Sequence, residues 1–236
     1  MAGITARRWL RRGLAMAGAT LLATTASAQS SDTAVPMPAW DASGSIAAHF
    51  VRARDLGAGR DDLYDYWEDQ WEPGAQVGRY LTTHLKVELG VRGPMQYEFY
   101  ESDRVPAPAL PGGFAWSSID RHVRVLSFAP GITWQFFENS FMHPYLSAGV
   151  AIDVMDTHRF RQAGTGSIVR SSTTVRYDIP GMDTRETVVE ARPFFAAGTK
   201  SYFGNGRWFV RPEIEMGITH ARIGALALRL GVGVDF

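Results

Sequence analysis

Charged side chains recur at every second position along several segments, and this is the chemical signal the sequence repeats most often. Lys86, Glu88, Arg92 and Glu98 share one parity. So do Glu190, Arg192 and Lys200, then Arg211, Glu213 and Glu215, then Arg229 and Asp235, while Asp153 stands alone in its segment. The positions between them on the same parity are mostly Gly, Ala, Ser and Thr. The opposite parity carries Val, Leu, Ile, Phe and Trp. Period two describes a β-strand with two unlike faces. Acids and bases in near balance on one face suit an ion-pair network, because an isolated ion in a low-dielectric interior costs several kcal/mol. These thirteen residues are the expected network. Arg79 is a further candidate, on a strand of ambiguous parity.

Other chemistry is scarce. There is no Cys and no Gly-rich phosphate loop, and His49, His84, His122, His143, His158 and His220 include no pair at metal-ligand spacing. No cofactor, metal or catalytic residue is therefore expected, and the chain is read as a non-enzyme. His84 and His143 fall at predicted turns, where a turn-forming or interfacial role suits them. Between Asp55 and Glu72 lie seven acids, one Arg, two Tyr and two Trp. Without calcium-loop spacing, this run reads as a solvated acidic loop rather than a cation site.

Eight strands are needed to carry the pattern, at about 40–52, 75–82, 85–99, 122–137, 143–155, 187–203, 207–219 and 224–236. The last is the most regular. Large apolar residues hold every even position from Leu226 to Phe236, with small or charged residues between them. Three long connections are predicted, at 55–73, 101–120 and 156–185, the last with hairpin extensions near 167–177. Short turns follow the second, fourth and sixth strands, and Gly204-Asn205-Gly206 has the residues a tight hairpin favours. Gly93-Pro94 interrupts the third strand and is read as a kink that leaves the register unshifted.

The apolar face is expected to meet lipid. A soluble barrel would have to pack many Trp, Phe, Leu and Val inside while presenting Gly and Ala outside. Small residues alternating with mixed charge suit a narrow lumen instead. Aromatic residues near the predicted strand ends (Trp40, Tyr80, Tyr97, Phe99, Trp134, Phe136, Tyr202, Phe203, Trp208, Phe236) suit interfacial girdles. The expected fold is all-β: an eight-stranded antiparallel transmembrane β-barrel with short periplasmic turns and long outer loops.

The N-terminus reads as a secretory signal. Arg7, Arg8, Arg11 and Arg12 precede a short apolar run, and Ala26-Ser27-Ala28 fits a small-x-small cleavage site. Residues 1–28 are taken as cleaved, 29–39 as a flexible lead-in and 40–236 as the barrel. Cleavage would leave 20 basic and 24 acidic side chains, a net charge of −4, which gives no reason to expect a nucleic-acid partner.

Signal, alternating strands and a terminal strand ending in Phe236 together resemble the small outer-membrane barrels of the OmpA, OmpX and OmpW type. In that family the terminal strand is the recognition signal for the barrel-assembly machinery, which the resemblance carries onto Leu228, Leu230, Val232, Val234 and Phe236. It also implies outer-membrane lipids as surroundings and export through the periplasm. The implied role is structural or interaction-based at the cell envelope, with the lumen closed or very narrow. Two alternatives remain at this point: an OmpW-like channel for small solutes or hydrophobic compounds, and a lipid-modifying barrel enzyme. Lipid A deacylases use a His-x-Ser pair, and none of the six His is followed two residues later by Ser.

Overall fold

The computed structural model describes residues 38–57, 66–136, 141–170, 173–204 and 206–236. The signal segment with Ala26 and Ala28, most of the lead-in, residues 58–65 of the acidic run and Asn205 lie outside the described residues.

Eight strands close into a barrel: β1 (Trp40–Arg52), β2 (Trp67–Tyr80), β3 (Leu85–Pro106), β4 (Phe114–Gln135), β5 (Met142–Arg161), β8 (Met182–Phe203), β9 (Trp208–Thr219) and β10 (Arg222–Asp235). Each pairs antiparallel with its neighbours, and β10 returns to β1. A separate hairpin, β6 (Gly164–Arg170) with β7 (Thr173–Ile179), is inserted between β5 and β8. At the seam Trp40 and Phe236 exchange two backbone hydrogen bonds, each 2.9 Å.

Alternation sets what each face meets. Val87, Leu89 and Val91 on β3, Leu146, Val150 and Ile152 on β5, and Leu228, Leu230 and Val232 on β10 all point outward and are exposed. So much apolar surface exceeds what a soluble monomer leaves in water. On β4 the outward apolar run spans Leu126 to Phe136 and gives way to Arg124 and His122 above it. That is about the 9–11 residues a strand needs to cross a bilayer. Outward Trp40, Trp134, Phe136, Phe203, Trp208 and Phe236 ring one end of the barrel, as an interfacial girdle does. Tyr80, Tyr97, Phe99 and Tyr202, also expected in the girdles, take lumen parity instead; the first three are buried, and Tyr202 is half-buried.

Two further expectations are corrected. The second and third predicted long loops are largely strand, and the first is strand in its final stretch. β2 begins at Trp67, inside the acidic run; β3 and β4 continue to Pro106 and from Phe114; and β5 and β8 reach Arg161 and Met182. Charged, Pro- and Gly-containing strand ends outside lipid lack the clean alternation of the membrane belt, so they read as loops. The second correction concerns Gly93-Pro94, which does shift the register. Arg92 pairs with Ser127, yet Met95 pairs with Val125, so β3 gains one residue against β4. Such a bulge exchanges the two faces of the strand beyond it. Met95, Tyr97 and Phe99 therefore turn into the lumen, and Glu98 turns out. Gly93 sits there at φ 96°, a backbone angle that glycine takes without steric cost.

Candidate functional site: a filled lumen

Inward positions alternate bulky charged side chains with small ones, and the small ones make the packing possible. Gly233 faces the Phe209 ring, and Gly198 lies against Tyr145; a Cβ at either would collide with that neighbour. Long cations therefore reach across the barrel and meet carboxylates from distant strands.

Nearest the aromatic girdle, two lysines share Asp41. Lys86 Nζ donates to Asp41 at 2.6 Å and also pairs with Glu88. Lys200 Nζ donates to Asp41 at 3.0 Å, to Asp235 at 2.5 Å and to the Tyr80 hydroxyl at 2.5 Å. Its ammonium sits 4.0 Å from the Phe209 ring centroid, a cation–π contact that strengthens when desolvated. Tyr202 donates to Asp235 at 2.7 Å.

The middle of the lumen is held by arginine. Arg211 makes a two-pronged contact with Glu88 at 2.9 and 3.2 Å and donates to Glu213 at 2.8 Å and to the Tyr145 hydroxyl at 2.5 Å. Arg229 donates to Glu213 at 2.6 Å, Glu215 at 3.0 Å and Glu72 at 2.5 Å. Arg92 is bidentate on Glu215, at 2.5 and 2.6 Å. Planar guanidinium forks match paired carboxylate oxygens, which explains why arginine rather than lysine occupies these crossings.

Above them Arg192 pairs with Asp153 at 3.0 Å, and His49 Nδ1 lies 3.0 Å from the Tyr97 hydroxyl. Then the lumen turns apolar. Val51, Leu56, Met95, Phe99, Val123 and Met155 pack together as one buried cluster. Leu56 belongs to a short 3₁₀ turn, Ala53–Leu56. Arg121 on β4 clamps that turn by donating to the Leu56 carbonyl at 2.6 Å, to the Gly57 carbonyl and to Glu101 at 2.8 Å.

Of the thirteen expected network residues, eleven are brought together in this lumen. Glu98 is not. It lies on the outer surface, 3.6 Å from His122, because the bulge turned its strand over. Glu190 keeps inward parity opposite Asp153 but is exposed, and it joins no ion pair among the described residues. Arg79 points outward over the Trp40 ring, 5.4 Å from its centroid. The network also holds two carboxylates that the sequence reading missed, Asp41 and Glu72. Asp41 alternates with Ser43 and Ser45, which is a usable signal; Glu72 is hidden among neighbouring acids. The terminal-strand residues Leu228, Leu230, Val232 and Phe236 are exposed on the outer face, and Val234 is half-buried there.

Cavities within this packing are small: about 30 Å³ beside His49, Tyr97 and Arg192, and about 10 Å³ beside Glu88, Arg92 and Glu213. About 10–15 Å³ of such space is enough to hold one water molecule. Among the described residues no group of three His, Asp or Glu is set to hold a metal ion.

No protein-family model matches the chain, and no curated protein does. Solved structures do resemble it. Neisserial surface protein A shares 12% identity over 84% of this chain and 97% of its own, with a TM-score of 0.49. The N-terminal β-barrel domain of OprF from Pseudomonas aeruginosa shares 16% over 82% and 97%, at 0.41. The outer membrane protein OprG from Pseudomonas aeruginosa shares 9% over 85% and 96%, at 0.45. The likeness is one of fold. By its own closure, strand pairing and outward apolar belt, the chain is an eight-stranded antiparallel transmembrane β-barrel.

Proposed function

We propose that this is an outer-membrane barrel with a sealed lumen, serving a structural or interaction role at the cell envelope. The observation that carries the reading is the unbroken crossing of the lumen by ion pairs, from Lys200 and Asp235 through Arg211 and Glu213 to Arg92 and Glu215. Buried charges joined in this way have no freedom to step aside for a solute without stranding a partner, at several kcal/mol. The outward residues of β10 and the terminal Phe236 support recognition by barrel-assembly machinery, after export through the periplasm and cleavage behind Ala28. The proposal includes no catalytic step.

Planar-bilayer recording on the refolded barrel tests it. The expected trace shows no unitary conductance; reproducible steps from the unaltered protein would overturn the sealed lumen. Peptide sequencing of the membrane-extracted protein should begin at Gln29.

A second reading, passage of a small apolar compound, is favoured by one observation. Pairing of β2 with β3 ends at Gly74 and Arg92, and the lumen beyond is lined by Val51, Met95 and Phe99. Proteoliposome entry of an apolar fluorescent probe, dependent on the protein, would support that reading over the first.

A further inference from the structure

The four strands β3, β4, β5 and β8 rise above the apolar belt as a continuous wall, and one outward row on it gathers unusual side chains. Cross-strand register puts Glu98 beside His122, His122 beside His158, and His158 beside Arg185. The two imidazole centroids lie 6.4 Å apart, with ring planes at 32°. Each ring has a carboxylate near one nitrogen. His158 Nε2 is 2.9 Å from Asp183 Oδ1, and His122 Nδ1 is 3.6 Å from Glu98 Oε1.

This leaves one nitrogen on each ring, Nδ1 of His158 and Nε2 of His122, for another partner. A carboxylate on the far nitrogen is the arrangement that fixes the tautomer of a metal-bound histidine and raises its basicity. An ion bound to two imidazoles at about 2.0–2.1 Å keeps their centroids roughly 5–6 Å apart, close to the 6.4 Å between His122 and His158. The donor type selects the ion: imidazole suits Zn²⁺, Cu²⁺ and Ni²⁺, whereas Mg²⁺ and Ca²⁺ require oxygen.

The geometry points to a divalent transition-metal site on the outer wall, with His122 and His158 as ligands, Glu98 and Asp183 orienting them, and water completing the coordination. It stands on the strand register and is independent of whether the lumen conducts.

Calorimetric titration of tag-free, detergent-folded barrel with ZnCl₂ is the test. One Zn²⁺ per barrel is expected. Affinity should fall at least about 10-fold in His122→Ala and in His158→Ala. The same direction holds for Asp183→Asn, since losing an orienting partner typically costs 10–100-fold. His220→Asn, at the β9–β10 turn, should bind as the unaltered protein does. Mobility of boiled against unboiled samples establishes that each variant is folded. Binding that is absent, or equally tight in folded His122→Ala and His158→Ala, would overturn the site.

Discussion

Arg229 on β10 reaches over Ala47 on β1 to donate to Glu72 on β2 at 2.5 Å. The register explains it: Arg229 and Glu72 both stand opposite Ala47, one on each side. A single methyl group between them leaves the guanidinium room to cross a whole strand.

Arg229 should therefore be the costliest lumen residue to remove. Arg229→Ala strands Glu72 and takes one partner each from Glu213 and Glu215, which keep Arg211 and Arg92, and breaking a buried pair by deleting one partner costs about 3–5 kcal/mol. Glu72→Gln removes one of three partners and should cost about 1–3 kcal/mol. Urea unfolding of the barrel in lipid vesicles ranks the two. A smaller loss for Arg229→Ala than for Glu72→Gln would contradict this network.

Faces on β10 can be separated by neighbouring substitutions. Val232→Arg places a cation on the lipid side, where the cost at the bilayer midplane is roughly 2–4 kcal/mol, so insertion yield should fall. Gly233→Val acts from inside by colliding with the Phe209 ring. It should lower stability while leaving the affinity of the folded barrel for lipid unaltered. Folding yield against bilayer thickness tells the two effects apart.

The bulge in β3 predicts opposite outcomes for two glutamates on the same strand. Glu88→Ala strips both Arg211 and Lys86 and should cost about 3–5 kcal/mol. Glu98→Ala touches only the outer surface and should stay within about 0.5 kcal/mol. Gly93→Ala forces a Cβ onto a backbone at positive φ and against the Val125 carbonyl, a strain of about 1–3 kcal/mol. Equal losses for the two glutamates, measured by the same unfolding assay, would mean that the strand does not turn over.

Assembly and folding should part company at Phe236. Its backbone bonds with Trp40 survive Phe236→Ala, and its side chain is exposed, so refolding in detergent should proceed at nearly the original yield. Levels of the variant in cells should drop if the terminal aromatic is read by assembly machinery. Unchanged cellular levels would remove that role.

The lipid-crossing part of the fold was legible because the bilayer enforces strict alternation, and β10 shows it from Ala225 to Asp235. The network was legible wherever that alternation ran unbroken, as at Arg211, Glu213 and Glu215. It was illegible where a local device changed the rule. One extra residue at Gly93-Pro94 reassigned Glu98 and brought Met95, Tyr97 and Phe99 inside. Glu72 was overlooked for a different reason: beside Glu68 and Asp69 it looks like solvent-facing charge, and only its position opposite Ala47 shows otherwise. His122 and His158 are 36 positions apart in the sequence and become neighbours only through the β4–β5 register.

The barrel rim is uneven. β9 and β10 are joined by His220 and Ala221 alone, both at positive φ, whereas residues 96–106 of β3 run on past the belt for roughly 35 Å measured along the strand. One flank thus ends near the membrane surface, and the opposite flank stands up as a sheet bearing Tyr100, Trp116 and Phe160 on its outer side. The molecule consequently has a compass bearing in the plane of the membrane. Rotating it about its own axis changes which neighbours face the tall side, so two copies, or a copy and a larger companion, can meet in orientations that are not equivalent.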